Sequence, residues 1–241
     1  MSSLRGKAAL VTGGSKGRGL GVARALVAEG VDVAITARNE EQVEEAAREL
    51  NEAGPGRALG LVCDVRDYDQ QVQVVDRVVA QFGKLDVVIA NAGIGHYAPV
   101  DEMDPEAWQA VIDTNLTGVF YTTRAAAQQL KSNEGYLITV ASLAGANFFA
   151  GGSAYNASKF GLVGFTQAAM LDLRGYGVKT TTIMPGSVSS YFNENEPGEK
   201  DAWKIQPEDI GEMIVYLLKT PQRTLPSKIE VRPTTPPSAK K

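Results

Sequence analysis

Short runs of β-branched and apolar residues alternate with longer stretches of helical period along nearly the whole chain, and no other feature limits the possible folds so strongly. Such alternation is typical of repeated βαβ units around a parallel sheet. The predicted strands cover residues 8–11, 31–36, 58–62, 87–90, 136–140, 180–184 and 229–231. Several are apolar on both faces, as strands are when helices cover both sides of a parallel sheet. We therefore predict an α/β fold with one doubly wound parallel sheet of about seven strands and helices on both faces.

Composition excludes several classes of function. The chain has 241 residues, with one cysteine, Cys63, and one histidine, His96, so an intrachain disulfide and a zinc site built from several His or Cys ligands are both excluded. The net charge of −4 gives no general attraction to nucleic acid. The sequence shows neither a signal peptide nor a segment apolar enough to span a membrane. We expect a soluble, cytoplasmic protein that acts on small molecules.

A glycine-rich turn, TGGSKGRG at residues 12–19, directly follows the first predicted strand and precedes a predicted helix over 20–29. Gly13, Gly17 and Gly19 let the backbone turn tightly and approach a pyrophosphate at the positive end of that helix. A glycine-rich turn can also be purely structural, because many turns need positive φ. Its place in the first βαβ unit favours dinucleotide binding.

Further motifs follow in order along the chain: NAG at 91–93, Asn115 within TNLTG, Ser142 after the fifth strand, YNASK at 155–159, and Pro185 with Gly186 after the sixth. Together with TGxxxGxG, this set resembles the short-chain dehydrogenase/reductase family over nearly the whole chain. The resemblance implies a single-domain Rossmann-type fold and a nicotinamide cofactor. The chain departs from the family at Arg18, where isoleucine is usual, at Ala90, where a second asparagine is usual, and in its C-terminal IEVRPTTPP.

Tyr155 and Lys159 are four residues apart, which places them on one face of a helix. An ammonium about 4 Å from the phenol, at an effective dielectric near 20, would lower the phenol pKa by roughly three units. In isolation, YxxxK would be read as a solvated helical pair. The resemblance implies instead that Tyr155 is the catalytic acid/base and that Lys159 also holds the nicotinamide ribose. It further implies that Ser142 orients the substrate oxygen and that Asn115 positions a water relay behind Lys159.

The end of the second predicted strand indicates which nicotinamide is bound. An NAD site needs a carboxylate about 20 residues beyond the glycines, and that position is Ala37, with Asp32 at the wrong end of the strand. Arg38, Lys16 and Arg18 could instead surround an adenosine 2′-phosphate. The sequence therefore favours NADP(H) over NAD(H), although Arg38 and Arg18 could also be ordinary solvent-exposed cations.

The full set of predicted cofactor-binding residues combines the glycine-rich turn with the positions implied by the resemblance. It comprises Gly13, Ser15, Lys16, Gly17, Arg18, Gly19, Arg38, Asp64, Val65, Asn91, Gly93, Tyr155, Lys159, Pro185, Gly186, Val188 and Ser190, and no metal ligand. By the resemblance, Asp64 accepts a hydrogen bond from adenine and Val65 supports its ring. The segment 185–190 lines the carboxamide side of the nicotinamide.

The leading hypothesis is an NADP(H)-dependent reduction of a ketone or aldehyde to an alcohol. Two alternatives remain: an alcohol or hydroxy-acid dehydrogenase working oxidatively, and a dinucleotide-binding sensor without turnover. A small acid substrate would need a cation near Tyr155, which the predicted substrate walls at 94–97, 143–149 and 187–206 do not plainly provide. Their aromatic residues suit an apolar or ring-bearing carbonyl, or equally pack a lid or a subunit interface.

For domain organisation, we predict a dehydrogenase domain over 1–232, with 187–206 as substrate lid and 233–241 as a flexible tail. The segment 219–241 has six basic residues and one acidic residue, Glu230. The basic residues are spread out and lack aromatic partners, so an ordinary solvent-exposed surface explains them better than nucleic-acid binding. The resemblance implies a homo-oligomer, either dimer or tetramer.

The cofactor prediction is tested by Arg38→Asp. Removing a cation from the 2′-phosphate and adding a repelling carboxylate is expected to weaken NADP(H) binding at least about tenfold more than NAD(H) binding. Dissociation constants for both cofactors measure the effect. Equal weakening of both would remove the NADP assignment.

Overall fold

The computed structural model describes residues 3–192 and 195–237. Seven strands form one sheet: β1 (Ala8–Thr12), β2 (Asp32–Ala37), β3 (Ala58–Val62), β4 (Val87–Ala90), β5 (Tyr136–Val140), β6 (Lys179–Pro185) and β7 (Lys228–Val231). Their order across the sheet is β3-β2-β1-β4-β5-β6-β7. Every neighbouring pair runs parallel. The structure thus confirms the predicted single-domain Rossmann-type α/β fold.

Helices connect the strands and cover both faces of the sheet. They are α1 (Gly17–Ala28), α2 (Glu40–Ala53), α3 (Tyr68–Phe82), α4 (Pro105–Ile112), α5 (Gly118–Ser132), α6 (Ser153–Leu173) and α7 (Pro207–Leu218). Helices α2 and α4 begin at side-chain caps: the Asn39 side chain accepts a hydrogen bond from the backbone N–H of Gln42, and that of Asp104 accepts one from the backbone N–H of Glu106.

The predicted strands are confirmed within one residue at each end, whereas the start of α1 was predicted wrongly. The helix begins at Gly17, three residues before the predicted Leu20. Gly17 and Gly19 of the glycine-rich segment therefore belong to the first turn of the helix. Glycine has low helix propensity, which made this segment read as loop. The N–H groups of Gly17, Arg18 and Gly19 therefore lie at the positive end of the helix.

Apolar side chains fill the space between the sheet and the helices on each side. β1, β4, β5 and β6 are buried at every position, and residues such as Ile89 and Ile138 are fully inaccessible. The edge strand β7 instead alternates exposed and half-buried residues. The predicted coverage on both faces therefore holds for the middle of the sheet and fails at this edge, where fewer neighbours are available.

The connections reverse direction between β1 and β4. From β1 the chain builds outward through β2 to β3, and then crosses back to β4 on the other side of β1. In an open parallel sheet, the carboxyl ends of strands at such a switch point leave a crevice between the loops, and ligands bind there.

Within the described residues, no helix is long and apolar enough to cross a membrane. The same part of the chain shows no cluster of acidic, His or Cys side chains suited to a metal ion.

Candidate active site

A cavity of about 870 Å³ opens at the carboxyl ends of β1 to β4. This volume lies within the usual range for small-ligand sites. Three basic residues, Lys16, Arg18 and Arg38, line it, and among the described residues the only lining carboxylate is Asp64. The cavity therefore favours a ligand that carries several negative charges, as phosphates do.

The glycine-rich turn after β1 forms one wall of this cavity and leaves no space for a side chain at Gly19. Gly13 and Gly17 have positive φ values of 65° and 53°, a conformation that favours glycine. A Cβ atom on Gly19 would lie 2.1 Å from the carbonyl oxygen of Gly13 and 2.6 Å from the amide nitrogen of Asn91. The bare backbone and the exposed N–H groups of α1 fit a pyrophosphate, so this wall suits a dinucleotide.

Asn91, directly after β4, ties the two strands of the switch point together. Its side-chain amide nitrogen donates to the carbonyl oxygens of Thr12 and Gly13, at 2.9 and 3.1 Å. Its backbone N–H donates to the hydroxyl of Thr12 at 3.0 Å. These bonds use the amide donors, so the side-chain oxygen is left facing the start of α1.

Arg18 is hydrogen-bonded to that oxygen. Its Nε donates to Oδ1 of Asn91 at 2.7 Å, and one terminal nitrogen donates to the backbone oxygen of Asn91 at 3.4 Å. The predicted cluster of Arg18, Lys16 and Arg38 around a 2′-phosphate is therefore wrong for Arg18. Its guanidinium turns to the β4 side of the sheet, because the fixed amide of Asn91 offers an acceptor there.

Asn115 lies on a π-helical turn, Asp113–Thr117, that interrupts the continuous helix formed by α4 and α5. Its side-chain oxygen accepts from the backbone N–H of Ile94 at 2.8 Å. Its side-chain nitrogen donates to the backbone oxygen of Ile94 at 2.9 Å and to the Ser158 hydroxyl at 3.1 Å. π turns of this kind often mark functional sites. Here the turn joins the loop after β4 to helix α6, which carries the predicted catalytic pair.

Tyr155 and Lys159 lie on one face of α6, as predicted. The Lys159 amine donates to the backbone oxygen of Val140 at 3.1 Å and stands 5.7 Å from the centroid of the Tyr155 ring. It also faces Gly93, where a Cβ atom would come within 3.6 Å of it. Ser142, directly after β5, is near enough to the Tyr155 phenol that its hydroxyl lowers the pKa of that phenol. The predicted catalytic side chains therefore converge around the ends of β4 and β5.

The predicted electrostatics of this pair are wrong. Burial raises the pKa of Tyr155 above 10, against smaller lowering effects of the Ser142 hydroxyl and the Arg18 charge. Burial, with the Arg18 charge adding to it, lowers the pKa of Lys159 to about 7. Removal from water disfavours the charged form of both groups, and it is the largest effect on both pKa values. The permanent cation that acts on Tyr155 is Arg18 from the glycine-rich turn.

Aromatic rings cover Tyr155 on the cavity side. Ring centroids of Tyr97 and Phe192 lie 5.6 and 5.7 Å from that of Tyr155. Phe192 also packs on Gly95, where a Cβ atom would lie 2.9 Å from its ring. The loop after β6 therefore contacts the loop after β4 across the Tyr155 phenol. Phe148, predicted as a wall residue, is 86% exposed and is not among the residues that line the cavity.

The opposite end of the cavity lies beyond β2 and β3. Asp64 pairs with Arg66 at 2.5 Å, and that hydrogen bond, with a smaller effect of Arg38, lowers the Asp64 pKa. β2 ends at Ala37, so no carboxylate stands where an NAD site would require one. Asp32 begins β2 and pairs with Arg57 at 2.5 Å, far from this end.

The predicted cofactor residues fall into two groups. Twelve of them line the cavity: Gly13, Ser15, Lys16, Gly17, Arg18, Gly19, Arg38, Asp64, Val65, Asn91, Gly93 and Ser190. Five do not: Tyr155, Lys159, Pro185, Gly186 and Val188. Tyr155 lies behind the rings of Tyr97 and Phe192, and the backbone N–H of Gly186 donates to Val231 at the edge strand.

The segment predicted as a lid is held to the body at both ends. Val188 forms a bridge with Ile205, and its side chain packs against the core. The buried carboxylate of Asp201 pairs with Lys204 at 2.7 Å, and Lys204 lowers its pKa. Residues 193–194 of the lid and 238–241 of the predicted tail lie outside the described residues.

Sequence reasoning missed several residues that support the site. The Thr12 hydroxyl accepts from the N–H groups of Asn91 and Ala92, and the Ser158 hydroxyl donates to the backbone oxygen of Tyr155 at 2.8 Å. Asn156 donates to Ala144 and Asn147 at 2.8 Å each, which fixes the loop after Ser142. Thr12, Asn156 and Ser158 lie inside the recognised motifs, so the signal was present.

Comparisons with known proteins agree with this geometry. A family model described as short chain dehydrogenase matches residues 7–201. A putative ketoacyl reductase of Streptomyces coelicolor is 34% identical over 90% of this chain and 92% of its own length. A D-beta-hydroxybutyrate dehydrogenase of Cupriavidus necator is 38% identical over 77% of this chain and 72% of its own. A metagenomic short-chain oxidoreductase solved in complex with NADP superposes with a TM-score of 0.85 at 35% identity, covering 98% of this chain and 100% of that one.

The close approach at Gly19 predicts the effect of a single methyl group. Gly19→Ala places Cβ against the Gly13 carbonyl and Asn91, and we expect a loss of about 2 kcal/mol or more in unfolding free energy. Gly164→Ala, in α6 with open space around it, is the matched control and should stabilise by about 0.5–1 kcal/mol. Urea denaturation of both variants measures this difference. The same small change in both would contradict the tight packing of the turn.

The low pKa of Lys159 predicts how stability depends on pH. Its folded-state pKa of about 7 lies below the ordinary 10.5, so the folded chain binds fewer protons than the unfolded chain between these values, and stability rises with pH there. Lys159→Met removes this contribution. The Met variant should be the more stable protein below about pH 7, on the order of 3 to 5 kcal/mol, with the advantage shrinking towards pH 10.5.

The matched control for this experiment is Lys228→Met, which removes one positive charge at the exposed start of β7. Chemical denaturation from about pH 6 to about pH 10 compares the three proteins. A stability difference between native chain and Lys159→Met that stays constant across this range would show that the Lys159 pKa is not depressed.

Proposed function

The chain belongs to the short-chain dehydrogenase family of oxidoreductases, and from that premise we propose that it reduces a ketone or aldehyde to an alcohol with NADP(H) as cofactor. The observation that carries the proposal is the convergence of Tyr155 with Ser142 and Lys159, directly behind the rings of Tyr97 and Phe192, which line the cavity built on the glycine-rich turn. A sensor without turnover has no need of this convergence.

The chemistry divides between cofactor and protein. A bound nicotinamide supplies the hydride, and the protein supplies a proton and fixed geometry. Tyr155 donates the proton to the substrate oxygen from its hydroxyl, which its raised pKa keeps protonated at neutral pH. The Ser142 hydroxyl orients the same oxygen, and Lys159 holds the ribose. The rings of Tyr97 and Phe192 exclude water from the phenol.

Reprotonation of Tyr155 follows from its neighbours. The Lys159 amine, with a pKa of about 7, exchanges protons near neutral pH and lies next to Gly93 and Asn115. We assign Asn115 to positioning a water relay behind Lys159. Its amide is fixed by both polar groups of the Ile94 backbone, which makes it a rigid support for such a relay.

Three features support NADP(H) rather than NAD(H). No acid stands at the end of β2, the exposed Arg38 follows that strand, and Lys16 lies in the same cavity. A 2′-phosphate carries up to two negative charges that Arg38 can bind in a bidentate manner. The structural relative solved with NADP is consistent with this preference.

Oxidation of a small hydroxy acid is a second candidate. Such a substrate needs a cation near Tyr155, and Arg18 supplies one from outside the predicted substrate walls. The similarity to a D-beta-hydroxybutyrate dehydrogenase points the same way. A substrate panel distinguishes the two candidates when it pairs carbonyl compounds with NADPH and hydroxy acids with NADP⁺.

We also propose the domain bounds, the oligomeric state and the location of the protein, as implied by its sequence and its family. Residues 1–232 form the dehydrogenase domain, 187–206 act as the substrate lid, and 233–241 form a tail. We further propose a cytoplasmic homo-oligomer, dimer or tetramer, that acts on a small-molecule carbonyl or alcohol and binds neither nucleic acid nor membrane.

The experiment that tests the function is a panel of aldehydes, ketones and quinones with NADPH and NADH, followed by the loss of reduced-cofactor absorbance. We expect turnover by the native chain and a loss of about 10²–10⁴-fold in Tyr155→Phe, because the phenol provides the proton. NADPH binding should be retained in that variant. Tyr176→Phe, at a 54% exposed position, is the matched control and should keep full activity.

Two results would refute this proposal. Silence of the native chain across the whole panel would favour the sensor, and full activity in Tyr155→Phe would remove the proton role of the phenol.

A further inference from the structure

Arg18 brings a permanent positive charge to the end of the cavity where Tyr155 and Lys159 lie. A guanidinium stays protonated throughout the physiological pH range. Its guanidinium donates to the side chain and the backbone oxygen of Asn91, two residues before Gly93, which the Lys159 amine faces. In agreement with this placement, the Arg18 charge lowers the pKa of the Tyr155 phenol and of the Lys159 ammonium. The charge is therefore felt at the reacting groups themselves.

The position of this charge is fixed by hydrogen bonds. Asn91 accepts from Nε of Arg18, and the donors of its own amide are used by the carbonyls of Thr12 and Gly13. The amide cannot turn over without breaking these bonds. Gly19 allows this approach, because any larger residue would collide with the Asn91 amide.

Little negative charge balances Arg18 nearby. Among the described residues that line the cavity, the only carboxylate is Asp64, which follows β3 and pairs with Arg66. Arg18 also lies in the first turn of α1, where the helix dipole is positive and disfavours a cation. The site therefore pays an electrostatic cost to keep a positive charge beside Tyr155.

The proposed reaction brings the nicotinamide into range of this charge. Hydride moves between the ring and a carbon whose oxygen contacts the Tyr155 hydroxyl, so the ring lies within a few bond lengths of that hydroxyl. A charge that acts on Tyr155 consequently acts on the ring. The ring is positively charged when oxidised and neutral when reduced, whereas the phosphates are the same in both forms.

We propose that Arg18 sets the redox preference of the site, so that the reduced nicotinamide cofactor binds more tightly than the oxidised one. The inference rests on the proposed function. Repulsion between two unit charges about 10 Å apart, at an effective dielectric near 20, changes the ratio of dissociation constants about tenfold. Such a site retains the hydride donor and releases the spent cofactor, which suits carbonyl reduction.

The test is a calorimetric titration of NADPH and NADP⁺ into the native chain, Arg18→Met and Arg18→Lys. We expect the native chain to prefer NADPH, and Arg18→Met to reduce that preference about tenfold, mainly through tighter binding of NADP⁺. Arg18→Lys keeps the charge and should keep the preference. Arg18→Gln, which retains a donor for Asn91, is the second neutral variant if Arg18→Met does not fold.

Arg38→Met is the matched control, because Arg38 lies at the other end of the cavity beyond β2. It should weaken both forms by the same factor and leave their ratio unchanged. If both forms bind and the ratio is the same with and without the Arg18 charge, the inference is overturned while the proposed function stands. If the native chain binds neither form, the proposed function fails and the inference fails with it.

Discussion

Burial of the Lys159 amine is the interaction on which the rest of the site depends. The amine lies beneath Tyr155 on α6 and donates to the carbonyl of Val140 at the end of β5, so one side chain links the catalytic helix to the sheet. Removal from water brings its pKa to about 7, and the same burial keeps the Tyr155 phenol protonated. At neutral pH the phenol is therefore protonated, whereas the Lys159 amine is near its midpoint.

Arg18 is the permanent charge in that environment. It reaches the surroundings of Tyr155 and Lys159 from the glycine-rich turn, through Asn91, rather than from the predicted substrate walls. In the proposed function, the turn that binds the pyrophosphate thus also contributes to the potential at the reacting groups. Cofactor binding and proton transfer would then be coupled through one short segment after β1.

The sequence predicted the fold because its signals are local. Strand ends depend on residues close together in the chain, and the structure has them within one residue of their predicted positions. The start of α1 was missed because the two glycines of its first turn, Gly17 and Gly19, are typical of a loop. The predicted catalytic residues were brought together because the carboxyl ends of parallel strands meet at one edge of the sheet.

The electrostatics could not be read from spacing in the same way. The four-residue spacing of Tyr155 and Lys159 fixes a shared helix face but says nothing about how deeply both groups are buried, and burial dominates their pKa values. The direction of Arg18 depends on the fixed Asn91 amide, 73 residues away in the chain. Such long-range contacts appear only in the folded structure.

The pKa of the Lys159 amine can be measured directly by NMR titration of the ¹³C-labelled lysine side chains, with the Lys159 signal assigned by its loss in Lys159→Met. Burial of this amine predicts a midpoint near pH 7 in the folded chain. A midpoint close to the ordinary value of 10.5 would contradict it, because the amine would then remain fully charged beneath Tyr155.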